Sequence, residues 1–507
     1  YRADVIITTL DKFLYRFFGY GGGKKSYTYP LRINDKKYMT FVFDEAHSYE
    51  GTAFTNFQHL VTTLYDNQHN IVLMTATLPE NYQKVLQDPE DFDFAGRWDV
   101  IDFLGEAKQQ ELLAGKGEHY GKRKLSYSPD EVIPQKADPN DPDSFAAAKE
   151  SFDNHKLERI GKILEQLQSQ WTGEERLIVT LDRVQDAAEV YTNLKRQSGL
   201  KSLAMSEGKD TNLFLYHGRL DRDWRSKVYD AVKRRDDKKQ PYILVSTSAI
   251  EIGVDLDAQI LITEICNPDS LIQRIGRCNR RGEEENARVI VIGSHIPDYL
   301  NDFTDNEAAY KSYLELLTKW NNNVINRQFA TEVLDPSIFP KPVLTDPRAS
   351  TAYDMLYKYV YDFELEYKNL HDLGFIATRS WEPALEVLIP FGRNDKGEDT
   401  FDSVQVPVGR LSRGTDDAEY VQLENYRMHQ DPDKSWRGEW QQVTRGGDLY
   451  RGTYRIKLLE TSSVTQDYQQ DLGLVDIPKI FQRQRWRNDP PLMVRLSTWA
   501  YEQEQTE

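Results

Sequence analysis

Short, fully apolar runs punctuate the first hundred residues. Val5-Ile6-Ile7, Met39-Thr40-Phe41-Val42-Phe43 and Ile71-Val72-Leu73-Met74 read as strands. Runs of this length without alternation suit a parallel sheet covered on both faces. Between the first two lies a stretch with Gly-Gly-Gly, Lys24, Lys25 and three tyrosines, which reads as an exposed insertion. From 106 to 155 the pattern lapses. Its segment 134–144, Pro-Gln-Lys-Ala-Asp-Pro-Asn-Asp-Pro-Asp-Ser, cannot sustain helix or strand and reads as a linker or insertion. From 156 to 300 the alternation returns. Strands are expected at 177–180, 214–216, 242–246, 259–263 and 289–292, with helices over 184–196 and 222–235. Beyond 300 a helix is expected over 305–320. Residues 380–460 then carry short alternating runs such as Glu386-Val387-Leu388-Ile389 and Tyr454-Arg455-Ile456-Lys457-Leu458.

This pattern predicts an α/β chain of four parts. Residues 1–105 and 156–300 form two parallel-sheet units joined by 106–155, and 301–507 form a smaller α+β accessory domain. A length of 507 residues agrees with several cores rather than one. Hydrophobic residues at 39% and charged residues at 29% fit a soluble globular protein. No run approaches the roughly 20 apolar residues of a membrane helix, and Tyr1-Arg2-Ala3-Asp4 does not open a leader peptide. Cys266 and Cys278 are the two cysteines, too few for a metal cluster or a disulfide framework, so a reducing cytoplasm is expected. A net charge of −17 argues against coating nucleic acid through a global basic field. It leaves open a motor that holds one strand in a local groove.

Four segments carry chemistry. Asp44-Glu45-Ala46-His47 follows an apolar strand directly, at the edge where open α/β sheets bind ligands. Asp44 there suits Mg²⁺ against the β- and γ-phosphates of a nucleoside triphosphate, and Glu45 suits the attacking water. His47 is placed to couple that site to a neighbouring strand. Alone, these residues also fit an acidic loop after a core strand. Thr75-Ala76-Thr77-Leu78-Pro79 ends the next apolar strand, where Thr75 and Thr77 can bond to His47 and to a nucleic-acid backbone. In Ser246-Thr247-Ser248-Ala249-Ile250-Glu251-Ile252-Gly253-Val254-Asp255 a strand ends in hydroxyls, a short helix follows and a Gly-x-Asp turn closes it. Ser246 and Thr247 at a helix start suit a phosphate, and Asp255 suits a ribose or a link to the metal site. In Gln273-Arg274-Ile275-Gly276-Arg277-Cys278-Asn279-Arg280, helical spacing puts Gln273, Arg277 and Arg280 on one face, as a γ-phosphate clamp needs. Acids in one unit and arginines in the other make an ATP site at a domain interface, closed by ATP and opened by hydrolysis.

The order and wording of these segments resemble the superfamily 2 helicases, whose fold is two RecA-like domains in tandem. Ile7-Thr8-Thr9-Leu10-Asp11-Lys12-Phe13 looks like that family's early strand-contacting motif. Arg176–Leu194 and Tyr216-His217-Gly218-Arg219 look like the opening motifs of its second domain. By this resemblance Thr8, Thr9, His217 and Gly218 contact nucleic acid, and Gly253, Asp255 and Gln273 line the nucleotide. Asn267–Gly282, with Gly253-Val254-Asp255-Leu256-Asp257, is similar to the CRISPR-associated helicases of type I systems. That family implies a prokaryotic cytoplasmic motor that uses ATP and Mg²⁺. It is recruited by an RNA-guided CRISPR surveillance complex and reels single-stranded DNA 3′ to 5′, with an HD nuclease fused or on a separate chain. His371-Asp372 is a bare dipeptide without accompanying ligands and does not read as that nuclease.

One departure stands out. No Gly-x-x-x-x-Gly-Lys-Ser/Thr loop precedes Asp44, and the family carries it upstream of the Thr8-Thr9 motif. The chain alone is therefore expected to bind ATP poorly and hydrolyse little. Another superfamily 2 helicase, of DNA repair or RNA, is the neighbouring reading, and a non-catalytic DNA- or partner-binding subunit is the reading of a different class. Phe481-Gln482-Arg483-Gln484-Arg485-Trp486-Arg487 suits either a phosphate backbone with a stacked base or domain docking.

Overall fold

The computed structural model describes residues 5–17, 40–46, 49–74, 84–85, 123–131, 134–135, 141, 144–204, 211–297, 301–303, 306–340, 344–362, 384–394, 396–411, 416–430, 436–443, 454–483 and 494–496. Leu10–Phe17 is helix α1, Thr40–Phe43 strand β1, Thr52–Asp66 helix α2 and Asn70–Leu73 strand β2. The two strands pair in parallel from Thr40↔Asn70 to Phe43↔Leu73. α2 is the crossover and buries Phe54, Phe57, Leu60, Val61 and Leu64. Val5-Ile6-Ile7, expected as a strand, forms none: the run is exposed and no described strand pairs its backbone.

The second unit is a larger sheet. Its elements in order are β3 (Arg123–Ser128), α3 (Ser144–Gln170), β4 (Arg176–Thr180), α4 (Val184–Lys195), β5 (Leu213–Tyr216), α5 (Arg222–Asp237), β6 (Tyr242–Ser246), β7 (Ile260–Glu264), α6 (Pro268–Ile275), β8 (Ala287–Ile292), α7 (Glu307–Trp320), β9 (Val324–Ile325) and α8 (Arg327–Val333). The seven strands run in the order β5-β6-β4-β7-β8-β3-β9, all parallel except the short β9. Leu177, Val179, Ile243, Val245, Ile260 and Ile262 face α3 and α4 on one side. Ile178, Leu244, Leu261 and Val289 face α5, α6 and α7 on the other. Burial on both faces is why these strands read as continuous apolar runs.

This sheet draws on more of the chain than its motifs span. β3 comes from the stretch expected to link the two units and lies beside β8. Tyr313, Leu317, Trp320, Phe329 and Val333, all beyond residue 300, sit in its core. Pro347–Asp362 then forms α9, which packs on α2 of the first unit. The final sheet contains β10 (Ala384–Arg393), β11 (Asp399–Pro407), β12 (Val421–Gln430), β13 (Trp436–Gln442) and β14 (Tyr454–Leu458), ordered β11-β10-β14-β12-β13. Its pairings are antiparallel except β10 with β14. The whole is α/β with parallel-dominated sheets, in agreement with tandem RecA-like units.

Candidate functional site

Asp44 follows the last residue of β1 and is exposed; its Oδ1 accepts the Glu45 amide at 3.0 Å. Glu45 adopts φ 53, a left-handed conformation uncommon for a side chain of its kind. The turn is pinned on both sides, since Met74 N donates to Phe43 O at 2.8 Å and Ala46 N to Met74 O at 3.3 Å. The paired acids therefore stand at the carboxyl end of a parallel pair, where the sequence put them. His47, Thr75 and Thr77 lie outside the described residues, as do His371, Asp372 and Gln484–Arg487. Thr8 and Thr9 are exposed, and the Thr9 hydroxyl accepts the Lys12 amide at 3.3 Å, capping α1.

The arginine segment departs from the expected helix. α6 ends at Ile275, Gly276 caps it, and Asn279 turns the chain at φ 46. Cys278 bridges Ala258, and Asn279 N donates to Ala258 O at 2.7 Å, so the segment folds back beside the start of β7. Gln273, half-buried, and Arg277 and Arg280 thus do not share a helical face. Arg277 instead donates from Nε to the Ile250 carbonyl at 3.1 Å and from Nη2 to the Glu251 carbonyl. Burial and the Arg280 charge pull Arg277 below its ordinary value, against the carboxylates of Glu45, Asp255 and Glu251. Arg280 is half exposed and pairs with Asp255 at 3.3 Å. Asp255, exposed at the Gly253 turn (φ 75), also receives Lys233 at 3.0 Å, which holds its carboxyl below the usual range.

The hydroxyl and histidine candidates are mostly inside. Ser246 is buried and donates to the Tyr216 carbonyl at 2.7 Å, and Thr247 is buried beside it. His217 is fully buried beneath the C-terminal sheet's own loop. Its Nε2 meets Leu472 O at 3.0 Å and its Nδ1 accepts Arg219 N at 3.1 Å, which fixes the neutral ring with the proton on Nε2. Burial lowers this imidazole to about 4. In this arrangement His217 is a docking residue for residues 469–476 and is not open to a strand, whereas Gly218 next to it is exposed.

Sequence reasoning passed over a buried charge network at the carboxyl edge of the large sheet. Arg274 donates to Glu251 Oε1 at 2.7 Å, Thr263 Oγ1 at 2.9 Å and Asp182 Oδ1 at 3.1 Å. The Asp182 amide donates to Glu264 Oε2 at 2.7 Å, and Arg159 lies 3.6 Å from Glu264 and bonds Asp130 and His155. Burial, with the Asp182 charge beside it, pushes Glu264 up to about 7. Against burial, hydrogen bonds from His155 and Arg159 hold Asp130 well below the usual carboxylate range. Asp182 and Glu264 were findable in the sequence: each is an acid placed just past, or closing, a fully buried strand. Both cysteines are buried and free, with thiols raised by burial. No described helix is long and apolar enough to cross a membrane.

Residues 173–283 match the family described as "CRISPR-associated nuclease/helicase Cas3, C-terminal". The chain is 25% identical over 287 residues to the CRISPR-associated nuclease/helicase Cas3 of Methanothermobacter thermautotrophicus, a match covering 56% of this chain and 28% of the relative. It is 31% identical over 136 residues to that of Haloferax volcanii, covering 25% and 14%. Among solved structures, T. fusca Cas3 with ATP is similar at TM-score 0.47 and 15% identity, over 73% of this chain and 47% of that one. The matched region is thus about a quarter of the length of the first of these relatives. These sequence matches, with the motifs in their order, support a Cas3-type superfamily 2 helicase.

Proposed function

We propose that the chain supplies both faces of an ATP-hydrolysing site in a CRISPR-associated motor that translocates on single-stranded DNA. The observation that carries this reading is the placing of Asp44 and Glu45 on the turn that ends β1, with Arg277 and Arg280 on the turn that follows α6 in the other unit. Paired acids on one sheet and arginines on another are what nucleotide hydrolysis at a closing interface requires. A subunit that merely held DNA has no use for that combination.

Mg²⁺ fits the acids present, because that ion is ordinarily held by one or two carboxylates and the phosphates of its substrate. The exposed Asp44 carboxylate suffices, and no larger ligand cluster exists among the described residues. When bound, the ion would neutralise charge on the β- and γ-phosphates. Glu45 would orient the attacking water and take its proton. Arg277 and Arg280 would turn from the Ile250 and Glu251 carbonyls and from Asp255 to the γ-phosphate as charge develops there. Arg274 would stay behind, because Glu251, Thr263 and Asp182 hold its guanidinium inside the fold.

The finer points rest on the family resemblance: recruitment by an RNA-guided surveillance complex, travel 3′ to 5′, and a nuclease of HD type working beside the motor. Thr8, Thr9 and Gly218 are the exposed described residues of the strand-contacting set. The reading is tested by ATP hydrolysis from the full reading frame, with and without single-stranded DNA, beside Asp44→Ala. DNA-stimulated turnover that the substitution abolishes is expected; equal rates in both proteins would refute it.

A further inference from the structure

Helix α2 begins at Thr52, downstream of the paired acids, and has no side-chain cap of its own. Gly51 holds the cap position at φ 52, with no side-chain cap and no acid in the first turn. Helix N-termini leave amides unpaired and favour a nearby negative charge. Here that charge arrives from far along the chain. Asp346 Oδ2 accepts from Thr52 Oγ1 at 2.8 Å, Asp346 N donates to Thr55 Oγ1 at 2.8 Å, and Gly51 forms a bridge with Thr345. The same carboxylate opens α9, where Oδ1 accepts Arg348 N at 3.0 Å. The Asp346 side chain is 12% exposed. Two helix N-termini therefore converge on one nearly buried carboxylate. From there α2 and α9 run side by side, with His59 Nε2 2.8 Å from Ser350 Oγ and Tyr353 donating to Thr63 Oγ1 at 3.1 Å.

The route of the chain gives this contact its meaning. The backbone leaves the core of the second unit at Phe339, touches the first unit at 345–354, and goes on to the C-terminal sheet. That sheet is itself docked on the second unit through Leu472 and Leu474. The connection thus ties the first unit to a segment anchored at both ends on the second. We propose that Asp346 is a positioning residue for the paired acids. It holds the start of α2 at Thr52, while Ala46 on the Met74 carbonyl holds the turn of the acids. The position of Asp44 and Glu45 then depends on the segment joining the second unit to the C-terminal sheet. This inference rests on the nucleotide-site reading and deepens it.

Thr52→Val keeps the side-chain size and removes the hydroxyl, and Thr52→Ser keeps the hydroxyl. In the protein from the full reading frame, Thr52→Val should lower kcat for ATP hydrolysis about tenfold with KM within about twofold, because a displaced catalytic group costs turnover more than binding. Thr52→Ser should restore it. Tyr353→Phe, which removes a bond farther along the same helix pair, should leave kcat unchanged. Wild-type kcat in Thr52→Val, or equal losses in Thr52→Val and Tyr353→Phe, overturns the proposal. Hydrogen exchange reads the clamp without turnover: Asp346→Ala should speed the Ala53–Thr55 amides about tenfold. Unchanged exchange overturns the clamp itself. A wild-type protein that hydrolyses no ATP overturns the nucleotide-site reading, and the positioning role with it, whatever the exchange rates are.

Discussion

The two parallel sheets carry comparable chemistry on unlike foundations. In the large sheet every residue of β4, β6 and β7 is buried, and the charges at its carboxyl edge are held by Arg274 and Arg159 inside the fold. In the small sheet β1 and β2 leave Val42 at 55% and Val72 at 42% exposure, and Asp44 stands in water. The arginine half of the candidate site is therefore preorganised by its own unit. The acidic half is pinned at Met74 on strands that are partly open, and it is joined from the later chain by Asp346. Preorganisation is costly to lose where it is internal and adjustable where it is borrowed.

The largest effect should come from removing either half. Arg277→Ala and Asp44→Ala should each lower DNA-stimulated ATP hydrolysis about 10²- to 10³-fold, the usual range for a lost transition-state charge partner. If the halves act as one site, the double substitution should be little slower than the worse single one. Losses that multiply would mean that the sheets act separately. Steady-state rates at saturating nucleotide decide the matter.

Next is the internal support of the arginine half. Arg274 is buried against Asp182 and Glu251, with side-chain exposures of 3%, 3% and 11%. Arg274→Ala leaves two carboxylates without their cation and should destabilise the protein by about 3–5 kcal/mol in urea unfolding. Arg280→Ala breaks an exposed pair with Asp255 and should change stability by less than about 1 kcal/mol. Similar losses in both would show that the buried network is no special foundation.

The same contrast explains what the sequence disclosed. Apolar runs marked β1, β2 and β4 to β8: β4, β6 and β7 are buried on both faces and must be apolar throughout, whereas β1 and β2 are apolar with one face open. Paired acids after β1 were legible for the same reason. Val5-Ile6-Ile7 misled, since apolar content alone does not supply a pairing partner. The helix expected through Arg280 stopped at Ile275, because Asn279 pairs with Ala258, a contact that helical spacing does not encode. His217 looked like a strand contact and is a docking residue, for its cover comes from residues 469–476. Arg159 and Asp346 were missed because the partners that give them their roles, Glu264 and Asp130 for the one and Thr52 for the other, lie far away in sequence.

The docking of the C-terminal sheet on the large sheet should be sensitive to acid. Burial lowers His217 to about 4 from its ordinary 6.5. The unfolded chain takes up the proton near pH 6.5 and the folded one only near 4, so stability is full above 6.5 and is lost as pH falls through that window. A proton on Nδ1 would face the Arg219 amide that now donates to it. The full loss approaches about 3 kcal/mol. Urea midpoints should show the advantage of wild type over His217→Asn shrinking between pH 6.5 and 4. A constant difference would place the histidine outside the docking energetics.

A smaller effect than the loss at His217 tests the same junction without charge. Gly473 sits at φ 67, and a Cβ there would lie 2.5 Å from the Arg219 carbonyl oxygen and 3.0 Å from the His217 ring. Leu474 N donates to that same carbonyl at 2.9 Å, so the backbone cannot retreat without losing the bond. Gly473→Ala should cost about 1–3 kcal/mol, from the left-handed backbone and the close approach together. The loss should appear as faster exchange of the Leu474 amide while amides of β4 and β6 keep their protection. Among the described residues α2 packs on α9, so the exchange of α2 should not change. If α2 loosened together with Leu474, the C-terminal sheet would hold both units as one body, and the adjustable character of the acidic half would lie in α9 alone.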